Sequence, residues 1–255
     1  MSPGRLPAVG LRTAFVVLCA APVALEGQSS PPSYEAVPVE RGATLRGTVV
    51  FRGEAPPPAR LLITRDVEVC GLGYRERRDV DVGPDGALRG VVVTIEGIST
   101  GKPWPPAPDG YVVDQRECHF VPEIQVVPRG AELHIVNSDP VLHNIHGYEW
   151  VGRSRRTLFN LGQPGEGTIV RPLRTRRGRV VGLECDAHDF MLGWIYVAEH
   201  PYAVVADESG RFLLDEVPAG TYTVRAWHPE LGVREREITL SPGESADLAF
   251  EFSRN

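Results

Sequence analysis

The sequence has few sulfur-containing residues, no strong charge of either sign, and no long apolar run after its first 27 residues. It contains four cysteines and two methionines among 255 residues, and its formal net charge is −6. Such a modest charge argues against a nucleic-acid-binding protein. No later segment approaches the ~20 apolar residues that a membrane-spanning helix needs. The absence of any CxxC pair counts against structural zinc and iron–sulfur sites.

Helical periodicity is also missing, because no segment of ordinary helix length repeats its apolar residues every 3.6 positions. Instead, 27 glycines and 23 prolines separate many short, Val-rich runs. This pattern is typical of all-β proteins rich in turns. A chain of this length can form one large domain or two small ones. We therefore predict an all-β fold.

The first 27 residues have the composition of an export signal. Arg5 and Arg12 provide a positive start, and the apolar run 14-AFVVLCAAPVAL-25 is too short to span a bilayer. Cleavage is expected between Ala21 and Gln28. Cys19 follows a leucine, which disfavours lipid attachment at this cysteine. The prediction is an extracytoplasmic protein, periplasmic or secreted.

Turn signals divide the rest of the chain into three parts: an N-terminal β segment over 28–110, a central unit over 111–200 and a C-terminal module over 201–255. The proline-rich stretch 103-PWPPAPDG-110 indicates a loop at the first boundary. Within the central unit, two alternating runs in 123–139 flank Pro128-Arg129-Gly130, which predicts a hairpin.

The odd number of cysteines requires an explanation in an exported protein. Removal of the signal leaves Cys70, Cys118 and Cys185, in a compartment where disulfides persist. The simplest disulfide assignment pairs Cys70 with Cys118 and leaves the Cys185 thiol free for a metal ion. A 118–185 or a 70–185 bridge remains open, and either one would remove the thiolate.

The loop 185-CDAHDFM-191 offers a cysteine, a histidine and a methionine at three-residue intervals. In the preceding run 178-GRVVGLECD-186, Val181, Leu183 and Cys185 share the apolar face of a predicted strand. Thiolate and imidazole suit zinc, copper or iron, but a thioether selects copper. A second histidine is available in 137-NSDPVLHNIHGY-148. A zinc site would use four strong ligands and no thioether, so the methionine disfavours zinc. A binuclear copper site would need a second cysteine in this loop, which has only one.

Residues 111–199 resemble the cupredoxins, the blue-copper proteins of the amicyanin and plastocyanin type. The resemblance is carried by 120-FVPEIQVVPRG-130, 143-HNIH-146 and the Cys-x-x-His-x-x-Met loop. It implies a Greek-key sandwich that binds one copper ion and passes single electrons to a redox partner protein, without enzymatic activity. The ligands that it implies are the following: His143, Cys185, His188 and Met191.

The same resemblance assigns roles around these ligands. His146 is expected as a neighbour of the copper and not as a ligand, and Asn144 and Asp186 are expected to bridge the two ligand loops. His188 should be the ligand nearest to solvent and therefore the route of the electron. Asp186 and Asp189 stand where the family has loop prolines, so the resemblance does not extend to loop rigidity, reduction potential or partner specificity, although the ligand count is intact.

The tail resembles the carboxypeptidase-regulatory-like β-sandwich through 207-DESGRFLLDEVPAGTYTV-224. The runs 46-RGTVVFRG-53 and 89-RGVVVTIEG-97 resemble earlier strands of the same module. One hypothesis is therefore a single sandwich that is split around the copper unit. The alternative is three consecutive β units.

Two other functions fit the same residues: a copper chaperone or store, and a structural β-sandwich interaction protein. Eight arginines in 153–179 could steer an acidic partner, although a solvated face is the preferred interpretation. Four further histidines are interpreted as structural or surface residues, with Trp227-His228 as a candidate exposed contact pair: His119, His134, His200 and His228.

Overall fold

The computed structural model of the chain describes residues 34–254, together with Met1 and Gly4. Apart from Met1 and Gly4, the predicted export signal, residues 1–27, lies outside the described residues. Helical structure in the described part consists of one short α-helix, α1 (Val67–Cys70), and a 3-10 turn at Pro84–Gly86. No helix in residues 34–254 has the length and apolar character that a membrane crossing requires. The all-β prediction is confirmed.

Twenty strands make up the described chain. In chain order they are β1 (Glu35–Ala36), β2 (Ala43–Phe51), β3 (Ala59–Leu62), β4 (Tyr74–Arg77), β5 (Val92–Glu96), β6 (Thr100–Gly101), β7 (Tyr111–Arg116), β8 (His119–Val121), β9 (Ile124–Pro128), β10 (Glu132–Asn137), β11 (His143–Val151), β12 (Ser154–Gln163), β13 (Gly167–Pro172), β14 (Val180–Glu184), β15 (Leu192–Ala198), β16 (Ala203–Val205), β17 (Arg211–Val217), β18 (Gly220–His228), β19 (Gly232–Leu240) and β20 (Ser245–Phe252).

Nine of these strands form the sandwich that carries the copper-ligand candidates. One sheet has the order β13-β10-β7-β8 and the other the order β12-β11-β14-β15-β9. Alternate residues of each strand point between the sheets, as the two-residue period of a strand requires. Ile135, Ile145, Leu183 and Ile195 lie in the resulting core at 1% exposure or less.

A second sandwich combines strands from both ends of the described chain. Its sheets have the orders β16-β5-β18-β19 and β17-β2-β20. β2 pairs with β17 and, in parallel, with β20, while β5 pairs with β16 and β18. Segments 44–97 and 203–252 therefore share sheets, which is the pairing that a sandwich split around the central unit requires.

The two sandwiches meet along the outer face of β15. Tyr196 and Ala198 pack there against Val92 and Ala203, which belong to the second sandwich. Arg179 joins Glu96 across the same junction at 2.7 Å. Apolar burial and this ion pair together hold the two sandwiches against each other.

The hairpin predicted for 123–139 is wrong. The turn exists, since the Ala131 N–H donates to the Pro128 carbonyl and Gly130 has a φ of 80°. However, β9 pairs with β15 in one sheet and β10 pairs with β13 and β7 in the other. Turn residues determine that the chain reverses, but they do not determine which strand each arm will pair with.

A segment that we name the cap, residues 59–77, leaves the N-terminal β segment and packs on the nine-stranded sandwich. It consists of β3, α1 and β4, and its Ile63 and Cys70 belong to the same core cluster as Cys185. Cys70 is joined to Cys118 by a disulfide, and Cys185 is a free, buried thiol. The predicted cysteine partition is thus confirmed, and the two alternative bridges are excluded.

Glu149 on β11 anchors the segment before β14. Its side chain is fully buried, and Oε1 accepts hydrogen bonds from the backbone N–H groups of Arg176, Arg177 and Gly178 at 2.7–2.8 Å. Oε2 pairs with Arg156. Burial acts to raise the pKa of Glu149, but these four donors outweigh it and hold the pKa below its ordinary value.

We expect Glu149→Gln to lower the free energy of unfolding by about 2–3 kcal/mol at pH 7, because hydrogen bonds to a buried charged group are lost. A carboxylate with a depressed pKa contributes its full stability above its unfolded pKa of about 4.3, and that contribution disappears as the pH falls through the folded value. The difference between wild type and variant should therefore shrink below about pH 4. Urea unfolding from pH 3 to 8 measures this difference, with the exposed Glu132→Gln as control. A difference as large at pH 3 as at pH 7 would contradict the assignment.

Candidate metal centre

The site forms where the end of β14 meets the start of β11. Cys185 continues the inward-facing series Val181 and Leu183 and is 2% exposed, as the alternation predicts. β11 and β14 are antiparallel neighbours with His146 opposite Glu184. This register brings His143, the first residue of β11, beside the loop that follows Cys185.

Three donor atoms converge at this point. The distances are 3.1 Å between the Nδ1 atoms of His143 and His188, 3.9 Å from Cys185 Sγ to His143 Nδ1, and 3.7 Å from Cys185 Sγ to His188 Nδ1. A triangle with these sides has one point about 2.1 Å from all three corners, near the metal–ligand distances of about 2.0–2.3 Å for nitrogen and sulfur. The donor set therefore fits a single ion of copper size.

Met191 completes the loop that carries Cys185 and His188. Two successive turns shape it, because the His188 N–H donates to the Cys185 carbonyl at 3.2 Å and the Met191 N–H donates to the His188 carbonyl at 3.0 Å. Met191 is 2% exposed and lies in the core cluster of Cys185. It also lines a cleft of about 240 Å³ together with Phe120 and Phe190. The structure thus brings the thioether-bearing residue to the same end of the sandwich as the three donors.

Burial shifts the pKa values of two of these candidate ligands, Cys185 and His143. Desolvation raises the pKa of the Cys185 thiol, against hydrogen bonds from the backbone of Asn144, Ala187 and His188. Desolvation lowers the pKa of His143, so its imidazole is neutral at pH 7. A neutral imidazole can coordinate at once, whereas the thiol must lose its proton when a metal binds.

The predicted bridge between the ligand loops has the expected contacts. Asn144 donates from Nδ2 to Asp186 at 2.9 Å and accepts the Asp186 N–H at 2.6 Å. The Asn144 N–H also points at Cys185 Sγ, 3.5 Å away. His146 faces away from the donors, with Nδ1 3.1 Å from Asp186 and its ring stacked on Tyr148.

Sequence reasoning missed Asp139, which holds the first histidine. His143 Nε2 donates to Asp139 Oδ2 at 2.7 Å, and both side chains are buried. The backbone N–H groups of Glu117 and Cys118 donate to the same carboxylate. Burial would raise the pKa of Asp139, but these hydrogen bonds together hold it below its ordinary value. Its spacing four residues before His143 was the available signal.

Asp66 in the cap was also missed, and it makes the matching contact to the second histidine. His188 Nε2 lies 2.9 Å from Asp66 Oδ2. The His188 side chain is only 1% exposed beneath the cap. His188 was expected to be the ligand nearest to solvent and the route of the electron, but the whole residue is 2% exposed, no more than Cys185 or Met191, and Asp66 of the cap lies against its ring.

The remaining histidines lie away from the three donors. His228 is 2% exposed, which fits its interpretation as a structural residue and excludes the alternative of an exposed Trp227-His228 contact pair. Its Nδ1 accepts the backbone N–H groups of Glu230 and Leu231, and burial lowers its pKa to about 4. His200 is also buried, whereas His119 is exposed and His134 is partly buried.

Several of the eight arginines in 153–179 are engaged within the protein. Arg155 pairs with Glu184, Arg156 with Glu149, and Arg179 with Glu96. The guanidinium of Arg171 lies over the ring of Phe159 at 4.4 Å. These contacts support the interpretation of a folded, solvated face more than that of a free steering patch.

Comparison with known families gives one partial match. Residues 176–248 match the model of domain II of polysaccharide lyase family 4. This region begins just before β14 and extends into β20, and it covers well under half of the chain. It differs from the carboxypeptidase-regulatory-like module predicted for the tail. No curated protein sequence matches this chain.

Parts of three solved structures are similar to part of this chain. A purple cupredoxin from Nitrosopumilus maritimus is 18% identical, with a TM-score of 0.29 and coverage of 34% of this chain and 99% of that one. Amicyanin from Paracoccus versutus is 16% identical, with a TM-score of 0.30 and coverage of 42% and 97%. A copper-containing nitrite reductase from Thermus scotoductus is 23% identical, with a TM-score of 0.28 and coverage of 38% and 24%. Similarities at these TM-scores do not establish a function.

Proposed function

We propose that this chain is an exported mononuclear type 1 copper protein that carries single electrons between redox partners. His143, Cys185 and His188 would hold the ion, and the thioether of Met191 would supply a fourth, weaker donor. Bound copper would supply a one-electron couple at this position. Export is supported by the basic and apolar composition of residues 1–27.

The observation that carries this proposal is the convergence of Cys185 Sγ and two imidazole Nδ1 atoms within 3.9 Å of one another. One buried cysteine sulfur and two imidazole nitrogens form a donor set that suits copper. With Met191 as a fourth protein ligand, no position would stay open for a substrate, as a catalytic metal requires. An electron carrier, and not an enzyme, is therefore the proposed role.

Addition of Cu(II) to the metal-free protein should produce an intense visible band from charge transfer between thiolate and copper. Ascorbate should bleach the band, and a mild oxidant should restore it, at one copper per chain. A spectrum with only weak d–d absorption would contradict the proposal, because it would exclude the thiolate as a ligand.

A copper store or chaperone is the second candidate, and the burial of His188 favours it. An imidazole that is 1% exposed beneath the cap offers no direct contact to a docking partner. A store should hold colourless Cu(I) and resist reoxidation. Repeated reduction and oxidation without copper loss supports the carrier, and loss of copper or failure to reoxidise supports the store.

A further inference from the structure

We infer that Asp66 is a positioning residue for the metal centre, and that the cap exists to deliver its carboxylate to His188. This inference rests on the proposed function, because it assigns a role in holding a copper ligand. Asp66 lies far from the ligand loop in sequence, at a separation of 122 residues from His188.

The backbone at Asp66 is unusual in a way that serves this contact. Asp66 adopts a left-handed conformation, with φ 49° and ψ 41°, immediately before α1. An aspartate at this position normally accepts a hydrogen bond from the helix backbone, but here no such bond forms. A left-handed conformation is unfavourable for a residue other than glycine and persists where the surroundings enforce it. The side chain is thereby directed to His188 Nε2.

The contact determines which nitrogen of His188 faces the donors. When Nε2 donates its proton to Asp66, Nδ1 keeps its lone pair and points at the point shared with His143 and Cys185. A carboxylate on the distal nitrogen also makes the imidazole a stronger donor to a metal. Asp139 makes the same contact to His143, so both histidines are held from behind by carboxylates.

The disulfide connects the two carboxylates. Cys70 ends α1, and its N–H donates to the Asp66 carbonyl at 2.8 Å. Cys118, the other half of the disulfide, donates its N–H to Asp139 at 2.9 Å. Arg75 donates to the carbonyl oxygens of both cysteines. One covalent and hydrogen-bonded unit therefore fixes the carboxylates behind both imidazoles.

The test compares Asp66→Ala and Asp66→Asn with Glu68→Ala, which removes an exposed carboxylate from the same cap helix without contacting His188. Asp66→Ala should weaken Cu(II) binding by about 10–100-fold, as expected when a carboxylate partner of a ligand histidine is removed. Its reduction potential should rise, because a weaker imidazole donor stabilises Cu(II) less. Asp66→Asn keeps an acceptor but loses the charge, so it should fall between wild type and Asp66→Ala. Glu68→Ala should match wild type.

A second measurement uses the metal-free protein. Nitrogen NMR of the His188 ring should show a single tautomer protonated at Nε2 in wild type and in Glu68→Ala, and a mixture of tautomers in Asp66→Ala. If Asp66→Ala does not fold, Asp66→Asn provides the same comparison. A purely structural role for Asp66 would lower the unfolding temperature without moving the tautomer ratio or the potential.

The outcomes separate this inference from the proposed function. A wild type that binds no Cu(II) would overturn the proposed function. A wild type that binds Cu(II), with both Asp66 variants equal to it in affinity, potential and tautomer, would overturn only the role of Asp66.

Discussion

Replacement of Cys185 by serine should abolish the visible copper band completely. Cys185 is the only free thiol in the described residues, it is 2% exposed, and its sulfur lies 3.7–3.9 Å from both Nδ1 atoms. A serine hydroxyl does not ionise at neutral pH and offers a hard oxygen in place of a soft sulfur, so copper selectivity should be lost with the band. Absorption and copper content after addition of Cu(II) and dialysis measure the effect.

His146→Gln is the matched control for this experiment. His146 lies only three residues after the ligand candidate His143, but its Nδ1 faces Asp186 and its ring stacks on Tyr148. We expect this variant to keep the band and one copper per chain. Unchanged copper content in Cys185→Ser would contradict the metal site and favour a structural β-sandwich protein.

Removal of the disulfide with Cys70→Ala and Cys118→Ala together should lower the free energy of unfolding by about 4 kcal/mol. The two cysteines are 48 positions apart, and closing a loop of that length restricts the unfolded chain by about this amount. Denaturant unfolding of the metal-free double variant and wild type measures the difference. The same variant should bind Cu(II) more weakly, because Asp66 and Asp139 lose the link between them.

Cys185→Ala in the metal-free protein is the control for this stability change. It removes a buried sulfur but no covalent link, so it should cost only roughly 1 kcal/mol. Equal decreases in the free energy of unfolding in the double variant and in Cys185→Ala would show that the disulfide itself does not stabilise the fold.

The sequence was sufficient for those features that depend on local pattern. Alternation over 178–186 predicted that Cys185 faces inward, and the spacing of Cys185, His188 and Met191 predicted one compact loop, because both depend on residues only a few positions apart. The cysteine count allowed three pairings, and only the Cys70–Cys118 pair, which the structure contains, leaves the thiol of Cys185 free for a metal.

Contacts between distant segments were not predictable in this way. Nothing in the composition of 59–77 indicated that Asp66 would reach His188, or that the cap would bury an imidazole expected at the surface. β9 and β10 illustrate the reason. Their alternating residues and the turn between them predicted two strands, but not that the strands belong to different sheets. A strand's partner is determined by the packing of the whole sandwich.

X-ray absorption spectroscopy of the copper-loaded wild type tests the central claim most directly, because it reports the atoms bound to the ion. The account predicts one copper with two nitrogen neighbours from His143 and His188 and one short sulfur neighbour from Cys185. A first shell made only of nitrogen and oxygen, with no short sulfur, would contradict it.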